Sequence, residues 1–272
     1  MKNKPEESAL CKMLNIEFPI IVAPMFLVSN TKMVIEAIKS GVTGAIPALN
    51  FRTKEELREA IQKVKSEAKG PLGINLIVNK SNFLYKEQLA ICCEEKVDFI
   101  ITSLGSPEET INQAHKAGVL VFCDVTDVKY AKKVEALGAD AVIAVNKEAG
   151  GHAGNISYKE LIPLLKSECT IPVISAGGVG NGAEAFEMMK DKNYALILMD
   201  VHMPEMDGYD ATKKIRAELS TPKKDTPIIA MTASALKGEA ERCIAAGMND
   251  YILKPFNPDK LKQKIANLVQ RA

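Results

Sequence analysis

The chain has 272 residues, 47% hydrophobic and 25% charged, and its 35 Lys and Arg side chains against 34 Asp and Glu leave a formal charge of +1. That composition is typical of a soluble globular protein, and the length holds one large α/β domain or two modest ones at roughly 100–200 residues each. With the two signs interleaved there is no basic surface to release counterions from nucleic acid or to attract anionic lipid, so neither partner is expected.

Short β-rich bursts recur along the chain, each followed by a stretch rich in Ala, Glu and Lys. They fall at residues 19–23, 44–49, 72–76, 99–102, 119–122, 141–145, 172–175, 195–199, 227–231 and 251–253. Bursts that are apolar throughout predict strands covered on both faces, as in parallel α/β sheets. Glycines at 41, 118, 138 and 247 close the intervening helix-like stretches, where a left-handed residue ends a helix. Eight such units would close a barrel and five would make an open doubly wound sheet. Ten fits neither.

Past the sixth burst, Glu148-Ala149-Gly150-Gly151-His152-Ala153-Gly154 sets a histidine among small residues at the strand's C-terminal end. Gly150 and Gly151 there would let a flat ligand approach closely; the plain alternative is a flexible loop with a solvated His. The seventh burst runs into Ser175-Ala176-Gly177-Gly178-Val179-Gly180, a turn whose amides and following helix suit a phosphate. Together with Pro19 to Met25, Gly73-Ile74-Asn75-Leu76, residues 123–128 and Gly138-Ala139-Asp140-Ala141-Val142, these motifs resemble the nitronate monooxygenases and the related flavin-dependent enoyl-acyl carrier protein reductases. The resemblance implies an FMN-binding TIM barrel portion over residues 1–180. It further implies that Ala23, Met25 and Asn75 line the flavin, that Gly177, Gly178 and the neighbouring Gly180 hold its phosphate, and that His152 is catalytic at a nitronate-like substrate.

Downstream, Asp200 ends the eighth burst, Thr232 follows the ninth and Lys254 the tenth. One carboxylate at a strand end could be a helix cap, a metal ligand or a phosphoacceptor. Three neighbouring strands that offer Asp, Thr and Lys at one edge resemble the receiver domain of response regulators, of the type found in hybrid sensor kinases. The resemblance implies Asp200 as phosphoacceptor, Thr232 and Lys254 as phosphate-sensing residues, a cis Lys254-Pro255 peptide and a histidine kinase as partner. It covers residues 181–272, from the receiver's second helix to its last.

Each half lacks a part of its parent. The receiver's first strand, with the acidic pair that holds Mg²⁺ beside Asp200, is missing; were the strand at 141–145 to stand in, Asn146 and Lys147 would replace that pair. The barrel's eighth strand would be the one ending in Asp200, and a carboxylate about 5 Å from a flavin phosphate would repel it by a few kcal/mol at an effective dielectric near 20. The predicted architecture is thus a parallel (βα) repeat, TIM-barrel-like, with its last three strands from a flavodoxin-like fold. The receiver's first remaining strand is expected as the barrel's eighth, with a five-stranded sheet of strands six to ten as the alternative. Three functions follow: an FMN-dependent oxidoreductase impaired by the join, a phosphoacceptor module, or a folded inactive chimera.

The six cysteines show no C-x-x-C spacing, the apolar runs are too short for a bilayer, and the first eight residues lack a secretory core. A cytoplasmic protein without disulfides is the expectation. Three histidines are too few for a His-rich metal site. Cys92-Cys93 and Met188-Met189 read as helix packing, His115 as a residue near a helix C-terminus, and His202 as a backbone contributor two residues after Asp200.

Overall fold

A computed structural model describes residues 8–79, 81–233 and 238–269. Two compact units result, Met1–Gly177 and Gly178–Ala272. The first unit runs α1 (Ala9–Leu14), β1 (Ile21–Val22), α2 (Thr31–Lys39), β2 (Thr43–Pro47), α3 (Lys54–Glu67), β3 (Leu72–Ile77) and α4 (Tyr85–Glu94). It continues with β4 (Phe99–Ser103), α5 (Glu108–Lys116), β5 (Leu120–Val125), α6 (Val128–Ala136), β6 (Ala141–Val145), α7 (Tyr158–Glu168) and β7 (Val173–Ala176). The seven strands are parallel and pair in sequence order, β1 to β7.

Local chemistry sets these boundaries. Asn30, Thr53, Asp127 and Ser157 start α2, α3, α6 and α7 by accepting backbone N–H groups of the first turn. The predicted glycine stops at 41, 118 and 138 carry positive φ. Alternation then sorts each strand's side chains. Leu72, Ile74 and Leu76 of β3 and Val121 and Cys123 of β5 join the layer under the helices. Phe99, Ile101, Phe122 and Ile143 fill the inner side with Ala45, Leu10 and Leu14. Phe99 and Phe122 stack with ring centroids 5.0 Å apart; a Cβ on Gly73 would meet the Phe99 ring at 2.3 Å, so β3 must be bare there.

The curled sheet stops at seven strands. β1 and β7 are its edges, both only partly buried, whereas β2 is buried throughout. A cleft of about 730 Å³ is lined by both edges, through Ile20, Ile21, Val173 and Ile174 among others.

The second unit holds α8 (Gly182–Asp191), β8 (Ile197–Asp200), α9 (Gly208–Glu218), β9 (Ile228–Thr232), α10 (Glu239–Ala245), β10 (Asp250–Leu253) and α11 (Pro258–Val269). Its three parallel strands are ordered β10-β9-β8. Phe186, Met199, Tyr209, Ile215, Ala230 and Cys243 form its own core.

The expectation that the strand ending in Asp200 completes the barrel fails. β8 pairs with β9, Ile197 opposite Ile228 through Asp200 opposite Met231, and Met199 and Val201 belong to the second unit's core. The five-stranded alternative fails too, because β6 and β7 lie in the first sheet. β6 therefore provides no substitute for the receiver's first strand, and the predicted repulsion between Asp200 and a flavin phosphate at the barrel's eighth position has no basis.

Candidate functional site

All seven strands of the first unit run parallel, so the loops that follow them share one rim. The loop after β6 carries the Gly-Gly-His motif. Asn146, fully buried at its start, donates Nδ2–H to the Gly177 carbonyl at 3.3 Å and accepts from the Glu148 N–H at 3.0 Å. Glu148 in turn accepts from the Ser157 hydroxyl at 3.0 Å and the Tyr158 N–H at 3.1 Å, tying the loop to the start of α7. Between these anchors Gly150, Gly151 and His152 are exposed, Gly151 has a φ of 79°, and a Cβ on either glycine would meet nothing within 4 Å. Gly177, the last residue of the unit, fits because it lacks a side chain: at φ 102° its Cβ would stand 2.2 Å from Asn146 Oδ1. Ala23 and Met25, after β1, are exposed at the same rim.

Below the rim the inner face turns polar. Asn75 on β3, 8% exposed, donates to Ser103 Oγ at 2.9 Å and to the Ile101 carbonyl at 3.2 Å. Ser103 on β4 donates to Asp124 Oδ2 on β5. Register puts Asn75 level with Ile101 and Phe122, and Ser103 and Asp124 one step above that layer. Burial pushes the Asp124 carboxyl up to about 6, while the Ser103 hydrogen bond pulls the other way. Asp124 and Ser103 escaped the sequence reading. The available signal was a lone acid in the apolar run 120–125, in phase with Phe122.

The ring side of a flavin suits this rim: bare glycines, the exposed Ala23 and Met25, and the Asn75 amide. The phosphate side does not suit Gly180. That N–H, in the second unit, already donates to Glu184 Oε2 at 2.7 Å, while Asn181 Oδ1 accepts from the Glu184 N–H at 3.0 Å. A carboxylate thus occupies the amide that the resemblance assigns to phosphate. Gly178 has open space around it.

In the second unit Lys254 Nζ lies 2.6 Å from Asp200 Oδ2, and Asp200 Oδ1 accepts from the His202 N–H at 3.2 Å. The Lys254-Pro255 peptide is cis. Thr232, buried at the end of the neighbouring strand, donates its hydroxyl to Glu239 Oε1 at 3.1 Å. Glu239 also accepts from the Tyr209 hydroxyl at 2.6 Å. That bond first and then the Thr232 one, opposed by burial, hold its carboxyl below the usual range. Among the described residues no group of three His, Cys, Asp or Glu could hold a metal ion. Among them too, all six cysteines are free, and no helix is long and apolar enough to cross a membrane. His115 ends α5 beside Asp140, at 2.9 Å.

Comparisons with known proteins match both halves. The nitronate monooxygenase family model matches residues 81–189, and the response regulator receiver domain model residues 159–266. A (3aS,4S,5R,7aS)-5-hydroxy-7a-methyl-1-oxo-octahydro-1H-indene-4-carboxyl-CoA dehydrogenase from Rhodococcus jostii is 31% identical over 64% of the chain and 49% of its own length. Two-component system protein A of Emericella nidulans is 47% identical over 36% of the chain and 14% of its own length. FabK from Thermotoga maritima superimposes with a TM-score of 0.59 at 29% identity, over 65% of this chain and 56% of that one. The chain spans about half the length of the curated dehydrogenases it matches. The protein therefore joins a nitronate monooxygenase- and FabK-like barrel segment to a response regulator receiver segment.

Proposed function

We propose that the first unit acts as a flavin-dependent oxidoreductase on a small nitronate-like substrate, reached from its parent carbon acid, a nitroalkane, with His152 as the catalytic base. The observation that carries this reading is the anchoring of the exposed Gly-Gly-His loop, through Asn146 and Glu148, at the rim above Asn75. Imidazole exchanges protons readily near neutrality. In the step assigned to it, His152 takes the proton from the acidic carbon, the bonding electrons stay on the substrate, and its exposure lets the proton pass on to water. Bound FMN would supply the electron acceptor that side chains lack. Ala23, Met25, Asn75, Gly150 and Gly151 are assigned to its ring, and Gly177 and Gly178 to its phosphate. FMN is held weakly, because Glu184 already takes the Gly180 N–H and β8 belongs to the other sheet. Titration of the full chain with FMN, followed by flavin fluorescence, tests the reading. Saturable quenching is expected, with His152→Ala binding FMN equally while losing about 100-fold in nitroalkane turnover; fluorescence that ignores the protein overturns it.

The Lys254–Asp200 contact favours a second reading, in which Asp200 Oδ attacks the phosphorus of a kinase phosphohistidine and the imidazole leaves. Mg²⁺ is then supplied with the phosphodonor. Incorporation from acetyl phosphate that Asp200→Asn abolishes is the expected result, and no incorporation at all overturns it.

A further inference from the structure

We propose that the apolar arc of the first unit's rim, formed by the loops after β1 to β4, holds the alkyl tail of the substrate. Phe26, Leu27 and Leu104 are the residues that select for chain length. The inference rests on reading this rim as the substrate site, and it narrows the nitroalkane assigned there to one with an unbranched apolar chain.

The loops that follow the strands are not alike. Those after β1, β2, β3 and β4 expose Phe26, Leu27, Leu49, Phe83 and Leu104, between 39% and 94% open to solvent. Among the described residues, the loops after β5 and β6 expose no large apolar side chain and carry Thr126, Asp127 and the Gly-Gly-His motif instead. Because β1 to β7 pair in sequence order, the apolar loops form one continuous arc and the polar loops another. Residues 25–28, Met-Phe-Leu-Val, are four consecutive exposed apolar positions, a run that water tolerates poorly unless something covers it. The flavin ring is assigned only Met25 of the four.

The loop is not free to fold these side chains away. Buried Ser29 accepts from the Met25 N–H and donates to the Ala23 carbonyl, both at 2.9 Å. Asn50, on the turn after β2, accepts from the Leu27 N–H at 2.9 Å and donates to the Ser29 carbonyl at 2.8 Å. Leu27 is held at a φ of 59°, and Leu104 after β4 has the same φ. A bulky side chain rarely adopts this left-handed conformation, and such strain persists where the surroundings fix it, often at ligand sites. Position says what covers the arc. Leu104 directly follows Ser103, the middle member of the Asn75–Ser103–Asp124 chain on the face that lines the lumen, and the apolar run starts two residues past Ala23. The apolar arc thus begins where the polar part of the site ends, so a ligand with its nitro group at one arc meets hydrocarbon at the other. An alkyl tail laid there gains with each methylene it hides from water.

A series from nitroethane to 1-nitropentane tests this, since its members differ by methylenes alone and all stay uncharged in mildly acidic buffer. Their binding to the full chain is measured by NMR titration, with and without FMN, in wild type, Leu27→Asn and Leu104→Asn. Asparagine accepts the left-handed backbone and leaves the loop's hydrogen bonds in place, so both variants should fold. Wild type is expected to bind 1-nitropentane about tenfold more tightly than nitroethane, from added methylenes covered on one side, and each variant should cut that gain to about threefold. NOEs from the terminal methyl of 1-nitropentane to the methyls of Leu27 or Leu104 locate the tail without any substitution. An equal gain in all three proteins, NOEs confined to Phe122 and Ile143, no gain with chain length, or a concentration-dependent dimer that Leu27→Asn dissolves overturns the proposal. The flavin arm is scored separately: absence of FMN binding counts against the oxidoreductase reading, while the gain with chain length is still read on the flavin-free chain.

Discussion

Gly177 and Asn146 are packed so closely that a single methyl group will not fit between them: a Cβ on Gly177 would stand 2.2 Å from Asn146 Oδ1 and 2.5 Å from the Ala149 N–H nitrogen. The φ of 102° adds backbone strain for any side chain. Gly177→Ala is expected to destabilise the protein by about 2–4 kcal/mol, read as a lower midpoint in denaturant unfolding. A change below about 0.5 kcal/mol would mean that the Gly-Gly-His loop is not seated on β7.

The raised Asp124 carboxyl predicts a pH dependence of stability. A native carboxyl that titrates near 6, above the ordinary carboxylate range, binds its proton more tightly than the unfolded chain does. Stability from this group is thus present below about pH 4 and lost as pH rises through about 6. Asp124→Asn should remove the loss, leaving the variant up to about 3 kcal/mol more stable than wild type at pH 7 and equal to it near pH 4. Parallel stability–pH curves for the two proteins would exclude a buried Asp124.

Tyr209 donates to the buried Glu239 carboxylate at 2.6 Å. Tyr209→Phe deletes that donor without changing the ring that fills the second unit's core, and it should cost about 1.5–3 kcal/mol, because a charged acceptor loses a partner. Thermal unfolding checks the size. Glu239→Gln in the Tyr209→Phe background should recover part of the loss, since the neutral amide is easier to leave half-satisfied.

The Lys254–Asp200 pair predicts a different outcome. Both side chains are more than a third exposed, so solvent screens the attraction and Lys254→Ala should change stability by less than about 1 kcal/mol. If Asp200 accepts phosphate, the same variant should show markedly slower incorporation from acetyl phosphate on a phosphate-affinity gel, at unchanged fold. Loss of the folded state instead would assign Lys254 a structural role.

Much of the architecture was legible because the burial pattern repeats. The ten apolar bursts correspond to ten strands, and the glycines at 41, 118, 138 and 247 take left-handed conformations that no L side chain adopts cheaply. Asp200 and Lys254 are expected at one edge of three parallel strands, and they meet at 2.6 Å. Strand partnership was not legible. Ile197, Leu198 and Met199 would suit any parallel neighbour, and only the shared packing of Met199 and Val201 with Phe186, Tyr209 and Ile215 selects β9. Thr232 ends its strand as the spacing predicts, whereas its bond to Glu239 depends on a helix start that local patterns do not aim. Asp124 went unnoticed because one acid in an apolar run has no meaning until the alternation of β5 is tied to the lumen.

The strand order of the first unit has a kinetic consequence. Each of its seven strands is hydrogen-bonded only to its neighbours in sequence, and among the described residues no ladder between β1 and β7 closes a ring. Backbone pairing is therefore local along the chain, as in a repeat array, where the ends fray first. Backbone amide hydrogens should exchange slowest in β3, β4 and β5 and fastest in β1 and β7, a gradient that a closed barrel, having no ends, would not display.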